Sequence, residues 1–168
     1  MIYILTGKIS SGKSTFLLNF FKNKSNVCGV IQVKKNQRRY FVELPEGREY
    51  SMECENQDEE KIKIGDYSFS VTSVRKANTK LINCLIGSAS VVIIDEFGKL
   101  EVEQKVFYDV IKSAIELSRK EKSKNLIIVI RNYLLDEFFS MFGLEPNSYK
   151  VIDINRAEEF FISEFLPR

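Results

Sequence analysis

Apolar positions along the chain fall into two rhythms. Unbroken apolar runs of four or five residues occur at 2–5, 91–94 and 126–130, each bounded by polar or glycine positions. Runs of that length, rich in Ile, Val and Leu, predict strands buried on both faces. Between them the apolar residues recur every three or four positions. Phe16, Leu17, Phe20 and Phe21 predict a helix over 13–23, and Leu81, Ile82, Leu85 and Ile86 predict one over about 74–86. Val106, Phe107, Val110, Ile111, Ala114 and Ile115 predict a long amphipathic helix over roughly 103–121. Leu134, Leu135, Phe138, Phe139 and Phe142 mark another helix face, followed by a short strand at 151–154. A last helix carries Phe160, Phe161 and Phe165, with Asn155 as its expected cap. Strands alternating with helices predict a parallel sheet covered on both faces.

The segment 28–72 departs from that rhythm. Strand patterns at 27–33, 40–44, 50–54, 61–64 and 67–71 are separated by turn residues at 36–37, 45–47 and 65–66 and by an acidic stretch at 56–60. Antiparallel hairpins are expected here, at an edge of the main sheet or beyond it. The chain therefore reads as one α/β domain over 1–168, with a hairpin-rich insertion at about 28–72.

Composition narrows the chemistry. The net charge of +2 is nearly balanced, so no acidic partner is indicated. The basic cluster Lys34, Lys35, Arg38 and Arg39 has little aromatic interleaving and reads as a solvated turn offset by Asp58, Glu59 and Glu60; nucleic acid is not the expected partner. With no histidine in the chain, Ser-His-Asp and Cys-His catalysis and histidine metal sites are excluded. Cys28, Cys54 and Cys84 are widely spaced and form no C-x-x-C, so reduced thiols in a cytoplasmic protein are expected. The N-terminus opens directly on a strand pattern, so no leader is expected, and no apolar run approaches membrane-spanning length. A monomer is expected.

Residues 7–14 read Gly7-Lys8-Ile9-Ser10-Ser11-Gly12-Lys13-Ser14, the G-x-x-x-x-G-K-[ST] pattern of a phosphate-binding loop between a strand and a helix. Phosphate oxygens need several backbone N–H groups at close range. Gly7 and Gly12 permit that approach, and the N–H groups near Gly12, Lys13, Ser14 and Thr15 begin a helix, where the dipole favours an anion. Lys13 supplies a charge for the β- and γ-phosphates, and the Ser14 hydroxyl a Mg²⁺ ligand. The strand at 91–94 then delivers Asp95 and Glu96 to the edge where ligands of parallel sheets bind. That fits a Walker B element, with Asp95 for the metal and Glu96 for the attacking water.

These residues resemble the small P-loop nucleoside triphosphatases of thermophilic archaea and bacteria, known in animals as the cancer-related nucleoside triphosphatase. The resemblance rests on the 7–14 loop, Cys28-Gly29-Val30, Ile64-Gly65-Asp66-Tyr67 and, above all, Asp95-Glu96-Phe97-Gly98-Lys99-Leu100-Glu101, where the family has Asp-Glu-Ile-Gly-x-Met-Glu. It thins after about residue 130. Ser14-Thr15 stands for the commoner Thr-Thr, and the acidic stretch at 56–60 does not align. The resemblance implies a P-loop NTPase three-layer fold with a parallel core sheet extended by antiparallel strands. It also implies Mg²⁺-dependent hydrolysis of nucleoside triphosphates such as ATP and GTP to diphosphate and phosphate, with loose base preference. In proteins of this topology the strand after the Walker B strand inserts beside the phosphate-loop strand. Arg131 or Asn132 would then emerge beside the γ-phosphate, Arg131 as an arginine finger or Asn132 as a sensor; the alternative is a surface pair of Arg131 with Asp136 or Glu137. Two other functions use the same loop: a small-molecule or nucleotide kinase, for which the basic 118–124 segment makes a poor lid, and an RNA-associated nucleotide switch.

Overall fold

The computed structural model describes residues 1–54, 60–64, 67–120 and 123–166. The turn expected at 65–66 and most of the acidic stretch, including Asp58 and Glu59, lie outside the described residues. The strands are β1 (Ile2–Gly7), β2 (Val27–Lys35), β3 (Arg38–Leu44), β4 (Arg48–Ser51), β5 (Lys61–Ile64), β6 (Tyr67–Ser70), β7 (Val91–Phe97), β8 (Asn125–Arg131) and β9 (Tyr149–Asp153). The helices are α1 (Lys13–Phe21), α2 (Val71–Ile86), α3 (Lys99–Val102), α4 (Tyr108–Lys120), α5 (Leu135–Phe142) and α6 (Ala157–Phe165).

Seven strands form one sheet in the order β4-β3-β2-β7-β8-β1-β9. Neighbours from β2 to β9 run parallel, while β3 and β4 extend the β2 edge antiparallel. β5 and β6 pair separately as a two-stranded sheet. This is the α/β architecture expected from the sequence, and β8 does insert between β7 and β1. Because side chains alternate along a strand, each buried strand feeds two cores. Ile4, Ile94 and Ile128 pack with residues of α2, α4 and α5 on one face. Leu5, Ile93 and Ile127 pack with residues of α1 and α6 on the other.

Several elements differ from their sequence pattern. The helix expected over 103–121 begins at Tyr108, and a separate turn of helix, α3, precedes it. Gln104 and Val106 stand at positive φ, 58° and 53°. The buried Glu101 carboxylate gathers that stretch by accepting from the Gly98 N–H at 2.9 Å and the Phe107 N–H at 3.3 Å. The fourth strand pattern at 50–54 pairs instead over Arg48–Ser51. α2 starts earlier than its apolar pattern, because the Ser70 hydroxyl accepts from the Ser73 N–H at 3.1 Å. The last helix is preceded by a 3₁₀ turn, Ile154–Arg156, capped by Asp153 and not by Asn155; the Asp153 carboxylate accepts from the Asn155 backbone and side-chain N–H groups at 2.9 and 2.7 Å.

The cysteine expectation is also corrected. Cys28 on β2 and Cys84 on α2 form a disulfide, with Cα atoms 5.4 Å apart. The two are 56 residues apart in sequence and meet only because α2 packs across β2. None of the helices among the described residues is long and apolar enough to cross a membrane.

Phe161 is fully buried on the α6 side and meets Phe16, Phe20, Phe21 and Phe165 with ring centroids 5.2–5.8 Å apart. Removing that ring leaves a cavity that rigid strands on one side cannot close. Phe161→Ala is expected to lower the unfolding free energy by about 3–5 kcal/mol, read from urea denaturation; a loss below about 1 kcal/mol would show that α6 is not an integral layer of the core.

Candidate functional site

The C-terminal ends of β1, β8, β7 and β2 share one edge of the sheet, as parallel pairing requires. A cleft of about 330 Å³ opens there. Ile9, Ser10, Ser11, Gly12, Lys13, Ser14 and Thr15 form its loop wall; Asp95, Glu96 and Arg131 line its floor; Gln32, Val33, Lys34 and Arg39 rise on the far side.

The loop has the backbone its motif requires. At Gly7 a Cβ would lie 2.7 Å from Ile154 Cγ2, so a side chain cannot be accommodated where β1 enters the loop. Gly12 is left-handed, φ 87°, at the N-cap of α1, a conformation glycine adopts without steric cost. Lys13 is 8 % exposed, and its Nζ donates to the carbonyls of Gly7 and Lys8 at 3.1 and 2.8 Å and to Ser11 Oγ at 3.3 Å. Burial lowers the Lys13 pKa, opposed by the carboxylates of Asp95 and Glu96.

Asp95 is 2 % exposed. Burial pushes its carboxyl up to about 7, against hydrogen bonds from the Ser14 hydroxyl and the Gln32 N–H, the latter at 2.8 Å. The Gln32 side chain donates in turn to the Asp95 carbonyl at 3.1 Å. A hydroxyl and a buried carboxylate in contact make an all-oxygen donor set. That fits Mg²⁺, a hard ion that takes one or two protein oxygens and completes its shell with water and phosphate. No group of three His, Cys, Asp or Glu able to hold a metal occurs among the described residues, so a protein-only cage is not the alternative.

Glu96 stands at φ 87°, where the β7–β8 register shifts between Ile94 and Phe97. Successive strand residues normally point to opposite faces. The irregularity breaks that alternation and lets both Asp95 and Glu96 line the cleft, the re-aiming that bulges perform beside active sites. Glu96 is ion-paired with Arg131 from β8. The surface pairing of Arg131 with Asp136 or Glu137 is thus not what the fold contains. Burial works to lower the Arg131 pKa, but Glu96 and the Tyr133 hydroxyl, 3.3 Å away, outweigh it and leave it raised. Asn132 begins the 3₁₀ turn after β8, is exposed and does not line the cleft.

Gln32 and the Lys34–Arg39 wall carry no motif that places them in the cleft, and the only hint of Gln32 in the sequence is a polar residue inside an apolar run; Glu101 belongs to the Asp95–Glu101 element, which by itself assigns it no role. Arg119 and Lys124 of the basic 118–124 segment are engaged away from the cleft. Arg119 donates to the carbonyls of Phe142 and Gly143 at 2.7 and 2.8 Å, and Lys124 to those of Cys84, Gly87 and Ala89 near the start of β7.

A family model described as NTPase matches residues 2–161. Among solved structures, the chain is similar to THEP1 from the hyperthermophile Aquifex aeolicus, at 18 % identity and a TM-score of 0.70, over 99 % of this chain and 97 % of that one. It is also similar to a human cancer-related nucleoside triphosphatase, at 18 % identity and a TM-score of 0.64, over 98 % of this chain and 94 % of that one. At that identity the likeness is one of fold. No curated protein matches.

Glu101 provides a test of how the loop after β7 is secured. Burial pushes its carboxyl from 4.5 up to about 7, against the amides it accepts from and with Glu96 adding to the rise. The folded pKa lies above the unfolded one, so the unfolded chain loses this proton first as pH rises. Its contribution to stability is fullest below pH 4.5 and is lost on going up to about 7. Glu101→Gln is expected to flatten the fall in unfolding free energy across that window by up to about 1.4 kcal/mol per pH unit, measured by urea denaturation. An unchanged slope would mean that Glu101 does not titrate there.

Proposed function

This chain belongs to the NTPase family, and we propose that it hydrolyses nucleoside 5′-triphosphates such as ATP and GTP to diphosphate and phosphate in a Mg²⁺-dependent reaction. The observation that carries this reading is the contact between the Ser14 hydroxyl of the phosphate loop and the buried Asp95 carboxylate, with Glu96 beside it. Ser14 and Asp95 would hold Mg²⁺, whose chemistry when bound is neutralisation of charge on the β- and γ-phosphate oxygens. The chain's own groups do the rest. The N–H groups at the start of α1 bind phosphate oxygens. Lys13 exchanges its loop carbonyls for the β- and γ-phosphates. Glu96 orients the attacking water and accepts its proton. Arg131 neutralises charge that builds on the transferring phosphoryl group. Its present partner, Glu96, supports the assignment, because the pair keeps both side chains in the cleft without an uncompensated charge.

Phosphate release from ATP or GTP alone, with no acceptor or RNA added, tests the reading. Release is expected with Mg²⁺ and not after chelation, and to be nearly abolished by Lys13→Ala; release that requires a small-molecule acceptor or RNA would favour the kinase or the switch. Glu96→Gln is expected to retain Mg²⁺-nucleotide binding while turnover falls by roughly 10²-fold or more, whereas Asp95→Asn raises the Mg²⁺ concentration needed. Normal turnover in Glu96→Gln would move the base elsewhere. Arg131→Ala is expected to lower kcat sharply with little change in nucleotide Kd, and Arg131→Lys to recover only part of it, since lysine lacks the planar fork. An unchanged kcat in Arg131→Ala would reduce the residue to a partner of Glu96.

A further inference from the structure

Charged groups along the cleft are ordered by strand. Lys13 follows β1, Arg131 ends β8, Asp95 and Glu96 lie near the end of β7, and Lys34 and Arg39 stand on β2 and β3. The last two are direct cross-strand partners, and the next pair in register, Lys35 with Arg38, is cationic as well. Like charges set opposite each other in an antiparallel pair repel. Lys35 is answered by Glu49 at 2.6 Å, but none of the ion pairs among the described residues includes Lys34. Lys34 is exposed and Arg39 half-buried, and both line the cleft.

Their position relative to a bound nucleotide follows from Gln32. Its N–H is 2.8 Å from Asp95 Oδ2, and Lys34 is two residues further along β2 on the same face, about 7 Å on. Ser14 and Asp95 would hold a metal that neutralises phosphate charge; a nucleotide held there would have its terminal phosphate near Asp95, and the Lys34–Arg39 wall stands on the next two strands, β2 and β3. The carboxylates of Asp95 and Glu96 separate that wall from Lys13 and keep it from being a continuation of the loop.

We propose that Lys34 and Arg39 form a seat for a second phosphate group, bound while a nucleotide occupies the loop. The seat deepens the proposed function and rests on its assignment of the loop. Arg39 brings a planar fork and Lys34 a point charge, complementary ways to hold a phosphate dianion. Two sources share this chemistry: inorganic phosphate leaving after hydrolysis, and the phosphate of a phosphomonoester held beside the nucleotide.

The test is a ³¹P NMR titration of inorganic phosphate into protein saturated with Mg²⁺ and a non-hydrolysable triphosphate analogue. Saturable phosphate binding is expected in the wild type. The doubly substituted Lys34→Ala, Arg39→Ala protein should bind phosphate about tenfold or more weakly, the scale of one lost charge-assisted hydrogen bond. Its affinity for the analogue should fall by less than its affinity for phosphate, since the loop amides and Lys13 are untouched. A charge-keeping protein, Lys34→Arg with Arg39→Lys, should retain most of the phosphate binding. A nucleoside monophosphate in place of phosphate identifies the source: tighter binding assigns the seat to a phosphomonoester, weaker binding to the released product. No saturable phosphate binding with the loop filled, or equal binding in the double-alanine protein, overturns the seat. Failure of the analogue itself to bind the wild type overturns the loop assignment instead.

Discussion

A buried carboxylate is costly unless something answers its charge, and Asp95 is the buried carboxylate on which the functional edge of this molecule is built. Three separate parts of the chain converge on it. The phosphate loop brings the Ser14 hydroxyl, β2 brings the backbone and side chain of Gln32, and β7 supplies the aspartate itself. Parallel pairing makes this possible, because it puts the C-terminal ends of β1, β8, β7 and β2 on one edge. The strand order matters equally: β8 lies between the loop strand and β7 and so delivers Arg131 to Glu96.

Glu96 shows how local backbone irregularity becomes chemistry. A regular strand would turn it away from Asp95. The left-handed residue and the shifted register bring both carboxyl groups to the cleft, and the loop that follows is pinned by Glu101 through the amides of Gly98 and Phe107. A Cβ added at Gly98 would lie 3.2 Å from Glu96 Oε1 and 3.5 Å from Glu101 Oε2. The glycine and second glutamate of the Asp95–Glu101 element therefore act as structural supports for its first two residues.

The antiparallel extension changes the character of the cleft. Without β3 and β4 the parallel sheet would end at β2, with nothing beyond Gln32. With them, a hairpin turned at Asn36 and Gln37 raises Lys34 and Arg39 over the far side. A basic stretch that looks like an ordinary turn in one dimension contributes Lys34 and Arg39 to the lining of the cleft, because β2 pairs with β7 and β3 with β2.

By itself the sequence determined the parts of this protein that depend on short range. Short runs of Ile, Val and Leu favour buried strands, the helical stripes turn part of each helix to a core (Leu81 and Leu85 are buried, Ile82 and Ile86 exposed), and the glycine-lysine-serine loop carries its backbone demands within eight residues, 7–14. Asp95 and Glu96 were legible because they terminate a buried strand. Tertiary structure decided whatever depends on which distant segments meet. The Cys28–Cys84 disulfide needs α2 laid across β2, the partner of Arg131 needs β8 seated beside β7, and the hydrogen bonds from Gln32 to Asp95 need the register between β2 and β7. The same holds for the late start of α4: its apolar period begins at Val106 and Phe107, but a buried glutamate claims the amide of Phe107. Spacing along a chain encodes local conformation; it does not encode which groups from separate strands will compete for the same proton or the same charge.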